Sequence, residues 1–201
     1  MKLQVLGLVL GMSLAGFAIA EGDAQAGQTK AAACGACHGA DGNSMVGMFP
    51  KLAGQNASYL VKQMKDIMSG DRPVPQMAGQ LDGKSDQDLQ DIAAYFASQK
   101  ASLGEAKAEL VSLGERLYRA GDASIGVAAC TACHNPNGAG NAAAGYPALS
   151  GQHPEYTAIQ LKAFRDGVRT NDGDAKIMRG ITYRLNDAEI EALASYVSGL
   201  H

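Results

Sequence analysis

Cys34-Gly-Ala-Cys37-His38 returns in the same chain as Cys130-Thr-Ala-Cys133-His134, at an offset of 96 residues. The match extends outward from the cysteines. Pro50-Lys-Leu52-Ala-Gly54-Gln55 aligns with Pro147-Ala-Leu149-Ser-Gly151-Gln152, and Tyr59, Gln63 and Lys65 align with Tyr156, Gln160 and Lys162, all at an offset of 97. Further on, Leu89, Ile92, Ala93, Tyr95 and Phe96 meet Ile190, Leu193, Ala194, Tyr196 and Val197 at an offset of 101. The chain is therefore a tandem duplication of one unit of about 85 to 95 residues, far longer than a solenoid repeat. Its seam falls near Lys100 to Leu110.

Each unit reads as helical, so the fold class is all-α. Ser85 followed by Asp88, and Asn186 followed by Glu189, carry the reciprocal capping pattern of a helix start, with apolar residues at helical spacing behind them. Middle helices are expected over Tyr59 to Ser69 and Glu155 to Gly167. An opening helix is expected from Asp23 to Ala36, and a second-half counterpart near Glu109 to Ala120. The Gly-, Asn- and Pro-rich segments Gly39 to Asn43 and Asn135 to Gly145 read as loops, and no segment reads as a strand.

Composition removes several classes. Of 201 residues, 46% are hydrophobic, 18% charged and 5% aromatic, which fits neither a disordered chain nor an integral membrane bundle. Seventeen Lys and Arg against twenty Asp and Glu leave a net charge of −3 with no basic run, so no nucleic-acid partner is expected.

Residues 1–20 read as a signal peptide. Lys2 precedes an apolar run from Leu3 to Ile19 that ends in Ala18-Ile19-Ala20, the small-x-small pattern of a cleavage site before Glu21. A retained anchor is the competing reading; Gly7, Gly11, Gly16 and the Ala-rich exit favour removal and export.

Four cysteines in an exported chain would ordinarily form two disulfides. The spacing argues otherwise. Cys-x-x-Cys-His is the attachment signature of a c-type haem, in which both thiols add to porphyrin vinyl groups and the adjacent imidazole binds iron. Its repetition points to two covalently bound haem c groups, held through Cys34 and Cys37 and through Cys130 and Cys133. A four-thiolate zinc site wants its pairs about 15 to 20 residues apart and needs no histidine. A thioredoxin-like pair expects a βαβ context that the chain lacks.

His38 and His134 supply one axial ligand to each iron, and the other follows by counting. From Ala106 onward the sequence contains one methionine, Met178. The register places Met77 opposite it, since each precedes its aligned tyrosine, Tyr95 or Tyr196, by eighteen positions. Met64 and Met68 read as core packing on the middle helix, while Met45 and Met48 have no second-half counterpart. Histidine is excluded as a sixth ligand in the first half, where His38 stands alone; His153 and His201 read as solvated. His/Met ligation raises the reduction potential and closes the iron, favouring electron transfer over peroxide chemistry.

A core this small needs the macrocycle to fill it, at about 25 cal/mol per Å² of apolar area removed from water. Leu52, Leu60, Leu89, Ile92 and Phe96, with Leu149, Leu161, Leu193 and Val197, are the candidate lining. Gly27 is expected to allow close approach of the helix carrying Tyr95. Arg72 and Arg169, or Tyr59 and Tyr156, are candidates to pair with haem propionates.

These residues resemble one family, the dihaem cytochromes c4. The resemblance spans the chain after residue 20 and rests on Cys34-Gly-Ala-Cys-His-Gly, Phe49-Pro-Lys-Leu-Ala-Gly-Gln, Ser85-Asp-Gln-Asp-Leu-Gln-Asp-Ile-Ala-Ala-Tyr-Phe, Arg169-Thr-Asn-Asp-Gly-Asp and Ile177-Met-Arg-Gly. It implies two tandem cytochrome c domains, residues 21–105 and 106–201, each wrapped around one haem and facing the other across a pseudo-twofold interface. It implies a monomeric periplasmic electron carrier, not an enzyme, often attached loosely to the inner membrane. Its implied partners are an upstream quinol-oxidising complex and a downstream haem-copper terminal oxidase. A dihaem peroxidase is the alternative; it would need one iron without its methionine and a loop with a distal histidine or paired carboxylates, which neither half shows.

Overall fold

The computed structural model describes residues 22–201, so the expected signal peptide lies outside the described residues. In the first half, Asp23 caps helix α1 (Ala24–Lys30), its side chain accepting from the N–H groups of Gln25 and Ala26. The single opening helix expected to run to Ala36 is instead interrupted at Ala31. A 3-10 turn over Ala32–Cys34 and the one-turn helix α2 (Gly35–His38) follow. Buried Ala31 and half-buried Cys34 dock on the apolar core there, and the chain turns inward to follow them.

Helix α3 (Ala57–Ser69) stops at Gly70, whose φ of 85° is left-handed. Helix α4 (Asp86–Ser98) starts on a complete capping box between Ser85 and Asp88. The second half repeats the plan with α5 (Ala108–Ala120), the one-turn α6 (Thr131–His134), α7 (Pro154–Arg165), α8 (Ile177–Thr182) and α9 (Asp187–Ser198), the last capped reciprocally by Asn186 and Glu189. Pairing between strands is confined, among the described residues, to two isolated bridges, Asp122 with Val127 and Asn141 with Tyr146.

In each half the first long helix crosses the last at a glycine. A Cβ on Gly27 would lie 2.0 Å from the Asp91 carbonyl oxygen and 2.9 Å from Cβ of Tyr95, the close approach expected there. A Cβ on Gly114 would lie 2.4 Å from the Ala192 carbonyl oxygen and 2.6 Å from Cβ of Tyr196. Behind these crossings sit two apolar clusters. Ala31, Leu60, Ile92, Ala93 and Phe96 form the first, with Leu52 and Cys34 packed against it. The second is larger; Leu117, Tyr118, Ile190, Leu193 and Val197 belong to it, and Cys130, Leu149 and Leu161 pack on it. The candidate lining residues thus gather beside the cysteines, apart from Leu89, which is buried outside the first cluster.

Asp91 ties α1 to α4. Its carboxylate, 4% exposed, accepts from the Asp23 N–H at 2.8 Å and from Gln87 at 2.9 Å, and pairs with Lys30. The Lys30 ammonium first, then the Asp23 N–H and Gln87, hold its pKa at about 2. A carboxyl depressed on folding stabilises the native state above its unfolded value, 3.8, and loses that contribution as pH falls through about 2. Asp91→Asn should therefore lower the melting temperature at neutral pH and flatten its fall between those two values. Calorimetry at a series of acid pH values checks this; an unchanged acid limb would show the pair to be inert.

The halves grip each other reciprocally. Gln55 donates to the Ala148 carbonyl at 2.9 Å and accepts the Ala148 N–H at 2.8 Å. Its repeat partner Gln152 does the same to Lys51, at 2.9 Å in both directions. Lys51 and Ala148 are themselves equivalent, so this is an isologous interface within one chain.

Candidate functional site

Helix α2 is one turn long, which brings Cys34, Cys37 and His38 onto one short segment. No disulfide joins any of the four cysteines. The His38 ring is buried, and its Nδ1 donates to the Pro50 carbonyl at 2.9 Å. Burial lowers its pKa, against the smaller opposing effect of that hydrogen bond. The imidazole is therefore neutral, with its proton on Nδ1 and the Nε2 lone pair left for a metal. The second half reproduces this arrangement: His134 is buried, its Nδ1 donates to the Pro147 carbonyl at 2.9 Å, and burial lowers its pKa too.

Backbone geometry after the two motifs is also shared. Gly39 turns the chain away at φ 80°, and its counterpart Asn135 does so at 66°. Asparagine tolerates the left-handed side of the map better than other side chains, and here it also donates to the Gly140 carbonyl at 2.6 Å.

Met77 ends a 3-10 turn over Pro75–Met77, and Met178 is the second residue of α8. Both side chains are half-buried. Met45 and Met48 are exposed, and Met64 packs on the first core cluster as expected. Met68 does not; at 47% exposure it belongs to the surface rather than the core, because it falls on the outer side of α3. His153 is also displaced from its expected place in solvent. It is half-buried, and its Nε2 donates to the Ser44 carbonyl of the other half at 2.9 Å.

Arg72 and Arg169 are buried at the junction of the halves. Arg72 donates to Gln63 at 2.9 Å, to the Tyr156 hydroxyl at 2.8 Å and to Gln160 at 3.0 Å. Arg169 mirrors it, donating to Gln160 at 2.7 Å, Tyr59 at 3.1 Å and Gln63 at 2.9 Å. Burial alone would raise the Tyr59 phenol, but the Arg169 and Arg72 charges outweigh it and set the phenol below its ordinary value. Both buried guanidinium groups donate to neutral acceptors, and the Asp66 carboxylate lies close enough to act on Arg72.

Several contributors escaped the sequence reading. Gln55, Gln63, Gln152 and Gln160 stood in the repeat register, yet nothing local assigned them a role. Helix α8 follows Lys176, which adopts φ 49° without being glycine and gives no sequence signal of a helix start.

The family model for Cytochrome c matches residues 24–100 and 111–201. Cytochrome c4 of Pseudomonas aeruginosa is 57% identical over 201 residues, covering all of both chains. The crystal structure of reduced recombinant cytochrome c4 from Pseudomonas stutzeri superposes with a TM-score of 0.88 at 57% identity, covering 90% of this chain and 100% of that one. The thiosulfate dehydrogenase electron acceptor of Stutzerimonas stutzeri is 37% identical over 182 residues, covering 88% of this chain and 83% of its own.

Proposed function

Since this chain belongs to the cytochrome c family, as a two-domain cytochrome c4 with two covalent haem c groups, we propose that it carries single electrons between a quinol-oxidising complex and a haem-copper terminal oxidase in the periplasm. A cleaved signal over residues 1–20 and domains over 21–105 and 106–201 belong to this reading, as does a monomer with loose inner-membrane association. No described helix is long and apolar enough to cross a membrane.

Cys34 and Cys37 would hold one haem through thioethers, and Cys130 and Cys133 the other. His38 with Met77, and His134 with Met178, would close the two irons. When bound, each haem supplies a one-electron couple whose potential its axial ligands and surroundings tune. The chain's own residues do the rest. The Pro50 and Pro147 carbonyls fix the two imidazole tautomers and keep each Nε2 available. The apolar clusters beside Cys34 and Cys130 would exclude water from a macrocycle bound there. Arg72 and Arg169 provide cationic donors suited to haem carboxylates.

The observation that carries the reading is the duplication of one whole unit: thiol pair, buried neutral imidazole, proline carbonyl behind it and methionine loop ahead. A catalytic dihaem protein would leave one iron without its methionine. The family's similarity to a thiosulfate dehydrogenase electron acceptor favours a second donor for the same carrier, a periplasmic thiosulfate-oxidising dehydrogenase.

A haem count with an optical redox titration tests the carrier reading. Two haems per polypeptide, two one-electron steps and a reduced spectrum unmoved by carbon monoxide are expected. A high-spin band with carbon monoxide binding at one haem would replace the carrier by an enzyme. Reduction of the purified protein by a quinol-oxidising complex or by a thiosulfate dehydrogenase, each supplied separately, separates the two donors.

A further inference from the structure

The two methionine loops differ in length and in how they are fastened. Nine positions separate Arg169 from Met178, whereas five separate Arg72 from Met77. The longer loop contains Asp172, whose side chain is 4% exposed. One carboxylate oxygen of Asp172 accepts the backbone N–H of Arg179 at 2.9 Å, and the other accepts its guanidinium Nε at 2.6 Å. The same guanidinium donates to the Thr170 carbonyl at 3.1 Å and the Gly173 carbonyl at 3.3 Å. On the next turn the buried Thr182 hydroxyl donates to the Met178 carbonyl at 2.8 Å. Met178 is therefore bracketed by fastened backbone on both sides.

Nothing comparable holds Met77. At the position aligned with Arg179 stands Ala78, and the longer loop's Asp172 has no counterpart. Among the described residues, the segment from Pro73 to Lys84 makes no side-chain hydrogen bond. It is tied by its own turns: the Met77 N–H to the Val74 carbonyl at 2.8 Å, Ala78 to Pro75 at 3.2 Å and Gln80 to Met77 at 3.0 Å. Of that segment only Leu81 is buried. Turns of this kind open at low cost, whereas a loop bound by charge-assisted hydrogen bonds opens only when they break.

We infer that Asp172 and Arg179 form a latch that positions Met178 on the second haem, and that the unlatched Met77 lets cyanide reach the oxidised first haem faster than the second. This rests on the methionine ligation proposed above. The two residues are positioning residues; neither is assigned contact with iron.

Stopped-flow mixing of the oxidised holoprotein with cyanide tests it. Cyanide binds when the methionine sulfur leaves, so the observed rate reports how often each loop opens. Two phases of equal amplitude are expected, with the slow one belonging to the second haem. Asp172→Ala should speed the slow phase by at least about tenfold, the size expected for a lost charge-assisted hydrogen bond, and leave the fast phase alone. Arg179→Gln should act in the same direction, and Arg179→Lys, which keeps the side-chain charge, should lie between that variant and the parent. A single phase for both haems, a slow phase unmoved by either Asp172→Ala or Arg179→Gln, or both phases accelerated alike would overturn the latch. Failure of the ligation reading looks different: the parent protein would then lack the methionine-to-iron charge-transfer band before any cyanide is added.

Discussion

Gly114→Val will unfold the second domain well below the melting temperature of the parent protein. A Cβ at this position would sit 2.4 Å from the Ala192 carbonyl oxygen and 2.6 Å from Cβ of Tyr196. Neither is the free end of a flexible side chain, so helices α5 and α9 must move apart as bodies. Doing so loosens Leu117, Tyr118 and Ile190, each essentially without exposure, from one another. Overpacking a core typically costs about 1 to 3 kcal/mol, and an obstruction against backbone falls at the upper end or beyond it. Against a domain stability of about 5 to 15 kcal/mol this is a large fraction. A loss of about 3 kcal/mol corresponds to a fall of roughly 12 to 24 °C for a domain of this size. Gly27→Val should act likewise on the first domain through the Asp91 carbonyl. Far-ultraviolet circular dichroism melts of the holoprotein check both, and a variant melting within a few degrees of the parent would show that the crossings can open cheaply.

The second large effect is on potential. Met178→His should lower one step of the optical redox titration by on the order of a few tenths of a volt, while the other step stays nearly in place. Imidazole stabilises the oxidised iron relative to a thioether, so the sign is fixed even where the magnitude depends on burial. Met77→His should move the complementary step. Because each substitution addresses one domain, the pair also assigns the two potentials to their haems. A titration in which neither variant displaces a step would remove both methionines from the coordination sphere, returning the first haem to Met45, Met48 and Met64 and leaving the second without a methionine in its own half.

What the sequence revealed was whatever is encoded locally or by repetition. Ser85 with Asp88 and Asn186 with Glu189 announced their helices because capping is a contact between residues three apart. Gly27 was legible as a close approach, whereas Gly114 was not, because it lies 87 residues on and so outside the register of 96 that the cysteine motifs set. His38, His134 and the cysteines stand in contiguous pentapeptides. The interruption at Ala31 was not legible, since Ala31-Ala32-Ala33 favours continued helix and only docking on the core turns it. Helix α8 was hidden for a related reason: its start depends on Lys176 in a left-handed conformation and on Asp172, whose interaction with Arg179 spans a loop. Gln55, Gln152, Arg72 and Arg169 act across the junction between domains, and no spacing within either half points there.

The mutual hold of Gln55 on Ala148 and of Gln152 on Lys51 fixes how the two halves sit against each other. Exchange with an outside protein begins with a collision, so it slows when either protein is diluted or the medium thickens. The internal hop has no encounter in it. A hop between haems held by the two halves would therefore not slow on dilution, because the contact it depends on is built into the folded chain.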